Sequence, residues 1–390
     1  MDPAIERLVT DPRCRTDAGE YVDDPTTLAQ LQQDTGRAWC TPDHKAFKRL
    51  INQFGFALAP TAMHSARTTG FGGFHLSIEA DYTKIDSGAD YWKKGTQGKI
   101  DPNTKKASIQ NKSPSDILTL YSLKLRKSFG FGFEVTGQVG FMPNTSIVSG
   151  GADVRVSLLE GFRSGLPGIL PDLAVGGGVR TITGTPQFQL TVAGLDVQIS
   201  KPLPIADSSV ITPYIGYQYV WMFGDSGLVD LTPATDPVGY CNYAGANLPG
   251  NQDPSKAAGV YDGQPICAGG SPLDFNNNTV FKKVRLERQR LMFGLNYRYE
   301  MVMVGGQFIT DIVDPADAQN SDADKADLDG TPRQWTIALE LGAIQQHEQQ
   351  QQEADADVRH GRLRGAVKEL ARVERARRHA HRLLHELRAL

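Results

Sequence analysis

Leu76-Ser77-Ile78-Glu79-Ala80-Asp81-Tyr82-Thr83 is the stretch on which the fold turns. Apolar and polar residues alternate one by one, so an extended strand puts Leu76, Ile78, Ala80 and Tyr82 on one face and Ser77, Glu79, Asp81 and Thr83 on the other. The polar face carries two carboxylates that need water or partners, while the other face needs apolar surroundings. The pattern recurs downstream. Tyr121, Leu123 and Leu125 alternate with Ser122, Lys124 and Arg126, and Phe133, Val135, Val139 and Phe141 with Glu134, Thr136 and Gln138. Val154, Val156 and Leu158 then alternate with Asp153, Arg155 and Ser157.

Further strands read from Leu173 to Ile182, Gln187 to Ser200, Ile211 to Trp221, Leu291 to Tyr299, Met301 to Asp311 and Gln334 to Ile344. In Gln187 to Ser200 the apolar phase slips from Phe188, Leu190, Val192 to Leu195, Val197, Ile199, and a bulge near Ala193-Gly194 would account for it. The strands ending in Tyr217-Gln218-Tyr219 and Trp221, or in Tyr297 and Tyr299, place aromatics where an interfacial girdle belongs. The 390 residues are 40% hydrophobic and 22% charged, a folded composition. No apolar run reaches the roughly 18 residues of a membrane-spanning helix. A closed barrel is the other way to cross a bilayer. The expected fold is therefore all-β: a transmembrane antiparallel up-and-down β-barrel of about ten strands, with a short helical N-terminal segment and a C-terminal basic helix.

Connection lengths point the same way. Segments after the second, fourth, sixth and eighth strands are short, and those near Asp86 to Pro114, Gly224 to Thr279 and Val313 to Pro332 are long and polar. Short turns on the periplasmic side and long loops outside are the habit of outer-membrane barrels. The alternation leaves Glu79, Asp81, Glu134, Asp153, Asp196 and Glu340 facing a lumen with Lys124, Arg126, Arg155, Arg180 and Arg298. Charges of mixed sign in a narrow bore fit a structural ion-pair network, or the lining of a selective pore.

Four units follow: residues 1–69 as a helical N-terminal plug or periplasmic segment, 70–345 as the barrel, 346–357 as a Gln-rich linker and 358–390 as a basic amphipathic helix. In the first, Asp24-Pro25 and Thr41-Pro42 read as helix starts. The second of these precedes Phe47, Leu50, Ile51 and Phe54, whose spacing makes one apolar stripe that plugs the barrel or lies on its rim. Met1-Asp2-Pro3 shows no export signal, so Met1 reads as the start of a mature, processed chain. Cys14 and Cys40 bracket the N-terminal segment, and Cys241 and Cys267 bracket one polar loop; two local disulfides are the simplest of three pairings, and four free thiols the alternative.

The tail carries Leu363, Leu370, Val373, Ala380, Leu384 and Leu387 near heptad spacing among many arginines. After the closing strand it would lie in the periplasm, where a protein or cell-wall partner could meet it, or it would self-associate; nucleic acid is no expected partner of an exported chain. The remaining expected partners are outer-membrane lipid and the barrel-insertion machinery.

Little here suggests catalysis. Gly224-Asp225-Ser226-Gly227 reads as turn chemistry, and His75 is the one histidine of the barrel region. The ten-stranded omptin proteases place acidic residues and a histidine at their outer rim, and no comparable pair occurs in these loops. No enzyme activity and no cofactor are expected. The acidic run Asp311, Asp314, Asp317, Asp322, Asp324, Asp327, Asp329 is dense enough for calcium, with Asp322, Asp324, Asp327 and Asp329 the candidates, but Arg333 stands where an EF-hand has its Glu. A solvated loop is the simpler reading.

Phe71 to Trp221 and Asn296 to Ile344 resemble Gram-negative outer-membrane barrel strands as a class. That class usually ends on an aromatic residue, whereas Ile344 runs on into Gln345 and the tail. Phe54 to Phe74 also resembles the N-terminal hatch of the long-chain fatty-acid transporters, whose barrel has more strands. The resemblance implies an outer-membrane location with long loops outside and both termini in the periplasm. It also implies a channel or ligand-uptake role with an N-terminal plug; a non-conducting anchor, adhesin or scaffold is the alternative.

Overall fold

The computed structural model describes residues 1–10, 41–98, 111–159, 170–206, 208–231, 240–243, 265–268, 278–317 and 322–345. Ten long strands follow in order: β1 (Phe74–Lys84), β2 (Ile117–Ser128), β3 (Phe133–Phe141), β4 (Val148–Leu159), β5 (Asp172–Thr183), β6 (Phe188–Ser200), β7 (Ser209–Ser226), β8 (Val284–Tyr299), β9 (Val302–Asp311) and β10 (Trp335–Gln345). Each pairs antiparallel with its sequence neighbour, and β1 closes the ring on β10 with Ile78 opposite Leu341. The long loop between β7 and β8 does not part them: Ile215 lies opposite Phe293. The expected ten-stranded antiparallel barrel is what forms. A short strand, Leu203–Ala206, adds to the start of β7.

Outward positions are apolar and bare. Leu76 is 51% exposed, Ile78 61% and Leu341 59%, while their neighbours Ser77, Glu79 and Glu340 are buried. Such a belt is unfavourable in water and suits lipid. Aromatic pairs mark its upper edge: Tyr121 with Phe141, Tyr219 with Trp221 and Phe308 with Trp335. At the lower edge Phe129 meets Phe133, and the Lys127 ammonium sits 3.6 Å from the centroid of the Phe74 ring.

The connections fall into two sets. Residues 129–132, 160–171, 201–208 and 300–301 join strands at one end, here the short-turn end. Residues 85–116, 142–147, 184–187, 227–283 and 312–334 join them at the other, the loop end. Helix α2 (Asp90–Gly95) belongs to the first long loop and α3 (Asp322–Leu328) to the last.

Helix α1 (His44–Leu58) stands inside the barrel. Its start differs from the expected Thr41-Pro42 cap: the Asp43 carboxylate accepts from Ala46 N at 2.9 Å, satisfying a donor the first helical turn leaves free. Pro60 stops it, holding Ala59 extended (ψ 146°). The helix seats closely on the wall because Gly224 has no side chain; a Cβ there would come within 2.7 Å of Ile51 Cγ2.

Three expectations need correction. No bulge interrupts β6: its register to β5 and β7 is continuous across Ala193-Gly194. Phe188, Leu190 and Val192 point into the lumen, where α1 makes the interior apolar, and the inward polar file resumes with Asp196, Gln198 and Ser200. Second, residues 1–10 and the end of β10 lie at opposite ends of the barrel. Met1 N donates to Asn144 O at 3.1 Å and Ile5 N to Gln187 Oε1 at 2.6 Å, so the N-terminal residues lie at the loop end, whereas β10 finishes at the short-turn end. The reason is mechanical: β1 starts at the short-turn end, and the preceding residues run back up through the lumen. Third, Asp322, Asp324 and Asp327 lie on a helix rather than a loop, and Asp327 turns to Lys48 at 3.5 Å. Among the described residues no group of acidic side chains, His or Cys is arranged to hold a metal. The Asp24-Pro25 helix start, Cys14, Cys40, the Gln-rich linker 346–357 and the basic helix 358–390 lie outside the described residues.

Candidate functional site

The lumen collects most of the singled-out residues, and it has two halves. In the upper half, toward the loop end, α1 buries Phe47, Leu50, Ile51 and Phe54. They pack against inward Phe188, Leu190 and Val192 of β6, Val220 and Met222 of β7 and Val284 and Leu286 of β8. Trp92 of α2 and Phe281 complete the cap, with Phe54 and Trp92 ring centroids 4.9 Å apart and Phe47 and Phe281 4.8 Å apart. Polar side chains enter this half too: Asn52 is fully buried, and Gln53 accepts from Trp92 Nε1 at 2.7 Å and donates to the Tyr91 hydroxyl at 2.7 Å. Burial pushes the Tyr91 hydroxyl above its ordinary range, with Asp86 adding to the effect. Each large apolar side chain buried here contributes about 2 kcal/mol.

Below Leu58 the interior changes character. Residues 59–73 descend without helix or strand toward the start of β1, bending at Ala62 (φ 48°) and turning at Gly70 and Gly72, and the wall meets them with charge. Lys124 pairs with Glu79 and donates to Thr61 Oγ1 at 2.8 Å. Arg126 lies 3.5 Å from Glu134 and 3.7 Å from Glu340. Arg155 pairs with Asp196 at 3.0 Å, and Arg180 grips both oxygens of Asp153 at 2.8 and 2.9 Å. Arg298 is inward and half-buried near the lower exit. Asp81 is buried beside these groups. Glu79 stands directly opposite Glu340 across the β1–β10 ladder, a repulsive placement that Lys124 and Arg126 offset.

Several residues of the site were not singled out from sequence. Arg288 pairs with Asp311 at 3.3 Å and donates to Gln334 at 2.7 Å, Arg290 reaches Gln218 and the α1 carboxy end, and His64 lies 3.1 Å from the Arg155 guanidinium. Val284-Arg285-Leu286-Glu287-Arg288-Gln289-Arg290 is too polar to read as a lipid-facing strand, which hid the last two arginines. Its outward polar groups have their own partners above the apolar belt: Tyr217 donates to Gln289 at 3.0 Å, Tyr219 donates to Glu287, and Arg285 lies 3.6 Å from Asp225.

A cavity of about 10 Å³ lies among Met63, His64, Lys124, Arg126, Arg155 and Asp196, room for one water molecule. His75, inward from the first turn of β1, has neither ring nitrogen hydrogen-bonded to protein. At the loop end the hairpin Tyr240–Tyr243 with Pro265–Ala268 sets Cys241 and Cys267 directly opposite one another.

No family model matches the chain, and no curated protein matches it. Among solved structures it is similar in fold to Ail of Yersinia pestis, in complex with a heparin analogue, at 8% identity over 71% of this chain and 100% of that one, TM-score 0.23. It is similar also to the outer-membrane protein OprG of Pseudomonas aeruginosa, at 10% identity over 73% and 100% of the two chains, TM-score 0.26. Omp33 of Acinetobacter baumannii aligns at 8% identity over 70% and 97%, TM-score 0.23. Closure of the ring stands on its own strand registers.

Proposed function

We propose that this outer-membrane barrel is a channel or ligand-uptake protein that its own N-terminal segment holds closed. The observation that supports it is the chemistry of the lower lumen. Its wall is charged and wettable, and it meets residues 59–73 through hydrogen bonds rather than through an apolar core. Each such bond contributes about 1 kcal/mol net, because water can replace the partner. A wall of this kind tolerates withdrawal of the segment and would then conduct.

The second reading is a non-conducting anchor, adhesin or scaffold, favoured by the apolar seating of α1 in the upper half. In that case the long loops, taken to lie outside the cell, contact surfaces or partners. The basic tail, residues 358–390, then meets a periplasmic protein or the cell wall. In either case the partners during assembly are lipid and the barrel-insertion machinery.

Planar-bilayer recording of the full chain and of a chain lacking residues 1–69 separates the two. Closed or small steps from the full chain and larger ones from the shortened chain are expected. Silence from both, with the shortened chain still showing the heat-resistant compactness of a folded barrel, establishes the anchor reading.

A further inference from the structure

The lower wall recognises main chain. Arg290 donates to Phe56 O at 3.1 Å and Pro60 O at 2.6 Å, and Gln218 Nε2 to Pro60 O at 3.1 Å. Gln198 Nε2 donates to Ala62 O at 3.0 Å, and Arg155 to His64 O and Ser65 O, each at 3.3 Å. Lower still, Ala66 N donates to Ser200 Oγ at 3.1 Å, and Thr69 N to Ser128 Oγ at 3.1 Å and Glu134 Oε2 at 3.2 Å. Carbonyls and amides are common to every peptide, so a file of partners for them recognises polypeptide main chain, here alongside the side chains of Thr61, His64 and Thr69.

Direction is fixed by the same geometry. Thr69 is bound at the short-turn end, α1 lies in the upper half, and the N-terminal residues end on the loop-end turns, where Ser146 N donates to Asp2 Oδ1 at 2.6 Å. The chain therefore crosses its own barrel from one mouth to the other before β1 begins. Residues 59–73 alone span the lower half, from Pro60 O beneath α1 to Thr69 N beside Ser128 at the short-turn end.

We propose that the lumen is a passage for non-helical polypeptide: it admits the chain's own N-terminal stretch, delivers it to the loop face and retains residues 59–73 as the bound peptide. This rests on the reading that the long loops face outside the cell. Residues 1–10 are thereby displayed on the cell surface, although β1 starts at the periplasmic end.

The test uses the full chain in intact cells, with one epitope ahead of Met1 or one between Gly250 and Asn251, probed by an antibody that cannot cross the outer membrane. Both epitopes should be labelled on intact cells to the same extent as after permeabilisation. Trypsin added to intact cells carrying the untagged chain should release N-terminal peptides ending at Arg13 or Arg15, which controls for a tag that blocks its own passage. A labelled loop epitope with a silent N-terminal epitope and an N-terminus resistant to trypsin overturns the passage and leaves the barrel reading standing. Silence of both epitopes until permeabilisation overturns the outward orientation, and the passage with it.

Discussion

The two halves of the lumen solve the same problem, filling a ten-stranded bore, with opposite chemistry. Above, a helix presents side chains to side chains, and Phe47, Phe54, Phe188 and Met222 interlock without polar contact. Below, a segment that is neither helix nor strand presents its backbone to polar and charged side chains, and Arg155, Gln198, Gln218 and Arg290 bind it by hydrogen bonds. A helix satisfies its own carbonyls and can face an apolar wall; a single non-helical chain cannot, so its wall must supply donors. The upper contact resists withdrawal, and the lower one exchanges its partners for water. If the barrel opens, the hold to be overcome is the upper one.

That contrast yields graded expectations. The largest effect belongs to the buried ion pair: Arg155→Met strands Asp196 in a buried site and should cost about 3–5 kcal/mol in urea unfolding from detergent micelles, with Asp196→Leu added to it restoring most of the loss. If the double variant stays as unstable as the single one, Arg155 acts through the bound segment rather than through its carboxylate. Phe54→Ala, in the upper half, should cost about 3–5 kcal/mol by leaving a cavity beside Trp92. Gln198→Ala, in the lower half, should cost about 1 kcal/mol. Equal costs at these two positions would erase the distinction between the halves.

The smallest effect concerns the loop-end hairpin. We propose that Cys241 and Cys267, opposed in register, are disulfide-bonded; Cys14 with Cys40 is a second, separate proposal. Alkylation with and without reductant, read by mass, should show the 241–267 bond, and its removal should leave the unfolding midpoint of the barrel nearly unchanged. A large drop would mean that this hairpin braces the upper half.

The sequence made the strands legible where lipid imposes the rule. Leu76-Ser77-Ile78-Glu79 must alternate because one face meets hydrocarbon and the other does not. Legibility failed where the inside is also apolar. Phe188, Leu190 and Val192 read as a shifted outer face because nothing local says that a helix lies within. The lumen charges Glu79, Lys124, Arg126, Arg155 and Asp196 could be placed by parity alone, but their partners depend on how the strands are staggered around the ring. The course of residues 59–73 was invisible, since its determinants are donors on β2, β4, β6, β7 and β8, far away in sequence. The position of the N-terminus at the loop end followed from that course and was missed with it.

The central claim is that the segment before β1 occupies the lumen of the folded protein in its membrane. Ala62→Cys combined with Gln198→Cys tests it directly when the two thiols are bridged by a short bis-maleimide, because the Gln198 amide lies 3.0 Å from Ala62 O and a linker of about 8 Å spans the two shortened side chains. Treatment of native outer membranes with the bis-maleimide should join the two into one faster-migrating species, and neither single variant should do so. Failure of the pair to cross-link in a barrel that is otherwise folded would place residues 59–73 outside the lumen and contradict the account.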